Sequence, residues 1–116
     1  MTDSLWTYPE STNHRDGIDL IGYKVEATDG SIGKVDKHSD EVGSAYLVVD
    51  TGPWIFGKHV MLPAGTVTAL DSSTRTIYVA RTKDEIKNAP EFDKDKHLTD
   101  PEYRHTLGGY YGGLLG

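Results

Sequence analysis

The chain has no cysteine among its 116 residues. Disulfide staples and thiolate chemistry are both excluded. That usage suits a reducing compartment, and a cytoplasmic location is the expectation. Long apolar runs are missing as well. No stretch approaches the roughly 20 apolar residues that a spanning helix needs, so no membrane insertion is expected. The opening "MTDSLWTYPESTNHRDG" has neither a basic start nor an apolar run, which is unlike a secretory signal. Apolar residues make up only 36% of the chain. A core therefore requires them to be concentrated in one region, with the rest polar and peripheral. A basic excess is also lacking. The net charge is −6, shared evenly among residues 1–17, 18–90 and 91–116. Nucleic-acid binders normally show a basic face, so no nucleic acid is expected as a partner.

Motifs for phosphate, metal and nucleophilic chemistry fail one by one. "DGSIGKVD" (29–36) has two glycines and a lysine, like a phosphate-cradling loop. That loop needs glycine at 28 and a hydroxyl at 35, where the chain has Thr28 and Val35. A dinucleotide fingerprint also lacks its first glycine at 28 and the helix that should follow. "DKHSDE" (36–41) departs from a calcium loop at His38, Glu41 and Leu47. The histidines at 14, 38, 59, 97 and 105 include no i, i+4 pair of the kind that holds zinc on a helix. No G-x-S-x-G nucleophile elbow is present. The expectation is no catalytic residue, no cofactor and no metal.

What the sequence does contain is short strands. "YKVEA" (23–27) alternates, with Tyr23, Val25 and Ala27 on one side. Asp29-Gly30 then signals a hairpin. In "SIGKVDKH" (31–38) Ile32 and Val35 fall out of phase, and Gly33 between them marks a bulge or sharp bend. "AYLVVD" (45–50) reads as a buried strand and "HVMLP" (59–63) as a short one. "TVTAL" (66–70) and "TIYVA" (76–80) form a second hairpin around "DSSTR". Thr82 and Glu85 make a capping box for one or two helical turns over 82–88. Asp100-Pro101 starts a short helix over 101–107, stopped by Gly108-Gly109.

Together "LIGYKVEATDGSIGKVDKHSDE", "AYLVVDTG" and "VMLPAGTVTALDSSTRTIYVARTKDEIKNAP" resemble the PRC-barrel family across residues 18–90. The family includes the cytoplasmic barrel of the photosynthetic reaction centre H subunit and the second domain of the ribosome maturation factor RimM. The resemblance implies a mainly β chain: a small antiparallel β-barrel with one short helix. An N-terminal arm (1–17) and a C-terminal tail (91–116) flank it. Val25, Ile32, Leu47, Val49, Val60, Leu62, Val67, Ile77 and Val79 are expected inward. The resemblance implies no shared catalytic residues. Family members act as interaction and assembly modules.

Two apolar groups remain outside that barrel. Trp54, Ile55 and Phe56 stand in a row between glycines, and neighbours on a strand cannot all point inward. They either plug one barrel end or meet a partner. The tail adds Leu107, Tyr110, Tyr111, Leu114 and Leu115, which dock on their own barrel or on a second copy. These eight residues are the candidate interface. The resulting expectation is a non-enzymatic module for protein–protein interaction, a homodimer with a further protein partner. A ribosome- or RNA-associated factor is the alternative, and a small ligand-binding or enzymatic barrel is the third reading.

Overall fold

A computed structural model describes residues 5–6, 19–39, 45–52, 59–98 and 100–115. The chain is mainly β. Its strands are β1 (Lys24–Ala27), β2 (Gly30–Ser39), β3 (Tyr46–Asp50), β4 (His59–Pro63), β5 (Val67–Asp71) and β6 (Thr76–Val79). The described helices are α1 (Lys83–Lys87), α2 (Lys94–His97) and α3 (Pro101–Leu115). All six strands join one sheet in the order β4-β3-β2-β1-β6-β5.

Local chemistry sets the two hairpins. Thr28 and Asp29 turn the chain between β1 and β2, and Gly30 takes a φ of 143°. The Asp29 carboxylate accepts a hydrogen bond from the Lys83 backbone at 2.8 Å, tying the hairpin tip to the start of α1. Between β5 and β6, the Asp71 carboxylate accepts from Ser73 N (3.0 Å) and Ser73 Oγ (2.6 Å). The hydrogen bond from the Ser73 side chain is the main cause of a lowered Asp71 pKa.

Gly33 supplies the bend expected of it. Val25 pairs with Gly33 while Glu26 pairs with Ser31, so Ile32 is the extra residue of a bulge. At Gly33 the φ is 147°, and an added Cβ would lie 2.0 Å from the Asp50 carbonyl oxygen. The bulge lets Ile32 and Val35 both turn inward, at 1% and 3% exposure. It also divides β2, whose first half pairs with β1 and whose second half pairs with β3.

The sheet corrects the expected topology. Four neighbouring pairs are antiparallel, but β1 and β6 run parallel. The cause lies between β4 and β5, where a three-residue 3-10 turn, Ala64–Thr66, replaces a hairpin. The chain bends there without reversing, which changes the direction of every later strand. The Thr66 hydroxyl donates to the Pro63 carbonyl at 2.8 Å and fixes the corner. β4 and β5 are the two ends of the sheet order, and the sheet is not closed.

The core contains Val25, Ile32, Leu47, Val49, Leu62, Val67, Ile77 and Val79, all buried as expected, with Val60 only partly so. Val48 and Met61 are buried too, and they face each other across β3 and β4 in the opposite phase. Both faces of this strand pair are therefore covered.

The tail forms a longer helix than its glycines suggest. α3 runs through Gly108, Gly109, Gly112 and Gly113. Each glycine costs about 1 kcal/mol relative to alanine in a helix. Tyr103, Leu107 and Tyr111, spaced by four, are buried on one side of it. Burying each such side chain returns about 1.5–3 kcal/mol, enough to offset the glycines. Close packing uses one of them: a Cβ on Gly108 would approach Trp6 Nε1 to 3.2 Å and Leu5 Cδ2 to 3.6 Å. Arg104 stacks its guanidinium 5.4 Å from the Tyr46 ring on β3. The Tyr110 hydroxyl donates to the Glu85 carbonyl at 2.6 Å, which joins α3 to α1.

A candidate partner-binding groove

A groove among the described residues lies along β4. His59, Val60 and Met61 form one wall. Ile86 and Lys87 of α1, then Ala89 to Phe92, form the other, and Tyr103 of α3 closes the groove. Its volume is about 230 Å³.

Each wall is held by identifiable chemistry. α1 begins at a complete capping box: Glu85 N donates to the Thr82 hydroxyl (3.1 Å), and Thr82 N donates to the Glu85 carboxylate (2.8 Å). The bond from Thr82 N is the leading cause of a lowered Glu85 pKa, and Arg81 beside it adds to the effect. Ile86 is thereby presented to the core at 1% exposure. Beyond α1 the chain crosses to β4, where Phe92 makes an isolated antiparallel bridge with His59. Phe92 packs its ring 5.4 Å from that of Tyr103. Tyr103 in turn stacks on His97 at 4.5 Å and donates its hydroxyl to the Pro90 carbonyl at 2.9 Å. Burial pushes the Tyr103 phenol well above its usual pKa, so it stays a neutral donor.

The groove is apolar inside and polar at its rim. His59, Lys87 and Glu91 stand around it, and His59 Nε2 lies 3.6 Å from Asp36 Oδ2. No serine, threonine or cysteine is among the residues that line it. Among the described residues no group of three or more metal-ligating side chains converges. Asp36 and His38 of the considered calcium loop lie on β2, where His38 Nε2 accepts from Leu20 N at 3.2 Å.

The candidate interface residues separate into three groups. Leu107 and Tyr111 are buried in their own chain, at 1% and 0% exposure, which corrects their assignment to an outer contact. Tyr110 is partly buried against the same core and packs edge-on to Tyr111. Trp54, Ile55, Phe56 and the side chains of Leu114 and Leu115 lie outside the described residues. Sequence reasoning did not find the groove. The available signal was Val48 and Met61, which are apolar on the phase that a one-sided sheet leaves wet. Among the described residues no helix is long and apolar enough to cross a membrane.

No protein-family model matches the chain, and no curated protein matches it.

Proposed function

We propose that this chain is a non-enzymatic binding module built on a PRC-type barrel, and that the groove along β4 receives a large apolar side chain of a protein partner. The observation that carries the reading is the groove's size and lining. Pockets for cofactors and drug-sized ligands usually occupy roughly 300–1,000 Å³ and present several convergent polar groups. This groove is smaller, at about 230 Å³, and its polar groups stand at the rim. Such a site suits one anchor residue, with a polar surround that excludes water. Burial of eight of the nine strand residues expected inward supports a β core, and the parallel β1–β6 pair differs from the antiparallel barrel expected.

Self-association has less support than the sequence suggested, because α3 uses Leu107 and Tyr111 internally. Its remaining basis is Trp54, Ile55 and Phe56.

Ala89→Phe fills the groove from its wall without touching the sheet. Tagged wild-type and Ala89→Phe proteins are used in parallel to recover partners from the host, after matching their thermal midpoints. At least one protein held by the wild type and lost by the variant is expected. If every retained protein is retained equally by both, the groove is not the binding site. Light scattering across a concentration series tests the dimer. A mass near 12.8 kDa throughout would remove self-association.

A further inference from the structure

A second surface lies on the outer side of β1, β2 and β6, away from the groove. Lys24 is in register with Lys34 on β2 and with Thr76 on β6. Two residues along, Glu26 is in register with Ser31 and Tyr78. These side chains line a shallow depression of about 460 Å³. Val25 and Ile77, between them in sequence, point to the core, so both rows belong to the outer face.

The charges here are in conflict. Like charges directly opposite on neighbouring strands destabilise a sheet. Neither Lys24 nor Lys34 forms an ion pair among the described residues. Asp50 is opposite Lys34 on its other side, but its carboxylate accepts from Gly52 N at 3.0 Å. Thr76 directs its hydroxyl to the Thr74 carbonyl. Beside this pair stands Tyr78, one of two large hydrophobic side chains exposed among the described residues, at 42%. On a chain of net charge −6, two lysines in register, without an ion-pair partner among the described residues and next to an exposed ring, are complementary to an acidic ligand with an apolar neighbour.

We infer that this face binds an acidic segment of a protein partner, with a carboxylate between Lys24 and Lys34 and an apolar neighbour on Tyr78. The inference rests on the binding-module reading and adds the chemistry of the partner. Glu26 decides against nucleic acid. It stands two residues from Lys24, about 7 Å along the strand. A phosphodiester chain carries a charge at every nucleotide, so its next phosphate would meet that carboxylate. A peptide can place an isolated carboxylate on the lysines and an uncharged residue beside Glu26.

The test is a two-dimensional NMR titration of the full chain. The probe is a capped hexapeptide with a single glutamate and a phenylalanine two residues after it, its other positions glycine and serine. The controls are its lysine–phenylalanine counterpart and a uridine hexanucleotide. Expected are shifts at Lys24, Lys34 and Tyr78 with the acidic peptide alone, and roughly tenfold weaker binding for Lys24→Ala or Lys34→Ala. Shifts confined to Met61, Phe92 and Tyr103 would support the groove and overturn this inference. Stronger binding of the hexanucleotide at Lys24 and Lys34 would overturn it in favour of nucleic acid, and no shift at either lysine would also end it. A ligand-free measurement checks the premise. Lys24→Gln removes one of the two opposed charges without adding a carboxylate beside Glu26, and should raise the thermal midpoint by up to about 5 °C at low salt. The gain should shrink at high salt. A lowered midpoint would mean that the lysines are not in conflict.

Discussion

Replacing Gly33 with alanine should be the most damaging single methyl addition in the sheet. The new Cβ would lie 2.0 Å from the Asp50 oxygen, 2.9 Å from the Asp50 carbonyl carbon and 3.0 Å from Thr51 Cα. All three are backbone atoms, so no rotamer change relieves the contact. The φ of 147° adds strain of order 1–3 kcal/mol for a residue with a Cβ. Relief requires β2 and β3 to separate near the Lys34–Asp50 pair, which loses ladder hydrogen bonds worth about 1 kcal/mol each. A total of about 3–4 kcal/mol follows. Total stability for this length is about 6–17 kcal/mol, and the midpoint should fall by roughly 10–20 °C. Gly52→Ala is the control. Its φ is 55°, and nothing lies within 4 Å of an added Cβ. Left-handed strain alone costs about 1–2 kcal/mol there. Urea and thermal unfolding followed by circular dichroism measure both variants. Equal losses would refute the close approach of β2 to Asp50 as the reason for glycine.

Other outcomes follow from the tail and from α1. Leu107→Ala should cost about 2–5 kcal/mol in urea unfolding, whereas an unstructured or partner-docked tail would give almost none. Tyr111→Phe should raise stability by about 1 kcal/mol, because the Tyr111 hydroxyl is buried without a hydrogen-bond partner; a loss would mean that the hydroxyl is satisfied in solution. Glu85 has a lowered pKa in the folded state, so its contribution is fully present above the ordinary value of 4.5 and is lost as pH falls through the lowered one. Glu85→Gln should flatten the pH dependence of the midpoint below about pH 4.5, and an unchanged acid limb would contradict the capping role.

Local signals were the legible ones. The hairpin near Asp29-Gly30, the Gly33 bulge and the Thr82–Glu85 capping box each depend on a few adjacent residues; the bulge and the box took the expected form, and the hairpin formed with its turn one residue earlier, at Thr28-Asp29. Two larger features were not local. The parallel β1–β6 pair depends on whether the chain bends or reverses at Ala64–Thr66, which strand patterns on either side do not encode. The length of α3 depends on what its residues meet. Gly108 and Gly109 argue for a stop by propensity alone. Leu5, Trp6 and the core that receives Leu107 and Tyr111 override them. The groove was hidden for the same reason, since its walls come from residues near 60, 90 and 103 that only the assembled fold brings together.

The tail and the groove are then parts of one arrangement. A free tail would have left Val48 and Met61 exposed on β3 and β4, and a large apolar face of that kind is unusual on a soluble surface. α3 reaches this part of the sheet through Arg104 over the Tyr46 ring and through Tyr103, which lines the groove beside Met61. Tyr103 is anchored at Pro90 and stacked on His97. Ile86 and Phe92 bound the remaining gap. On the proposed reading, the tail residues singled out in the sequence would contribute to binding indirectly. Leu107 and Tyr111 bury in the core and Tyr110 ties α3 to α1 through the Glu85 carbonyl, and the opening along β4 is where the proposed partner side chain would find apolar walls.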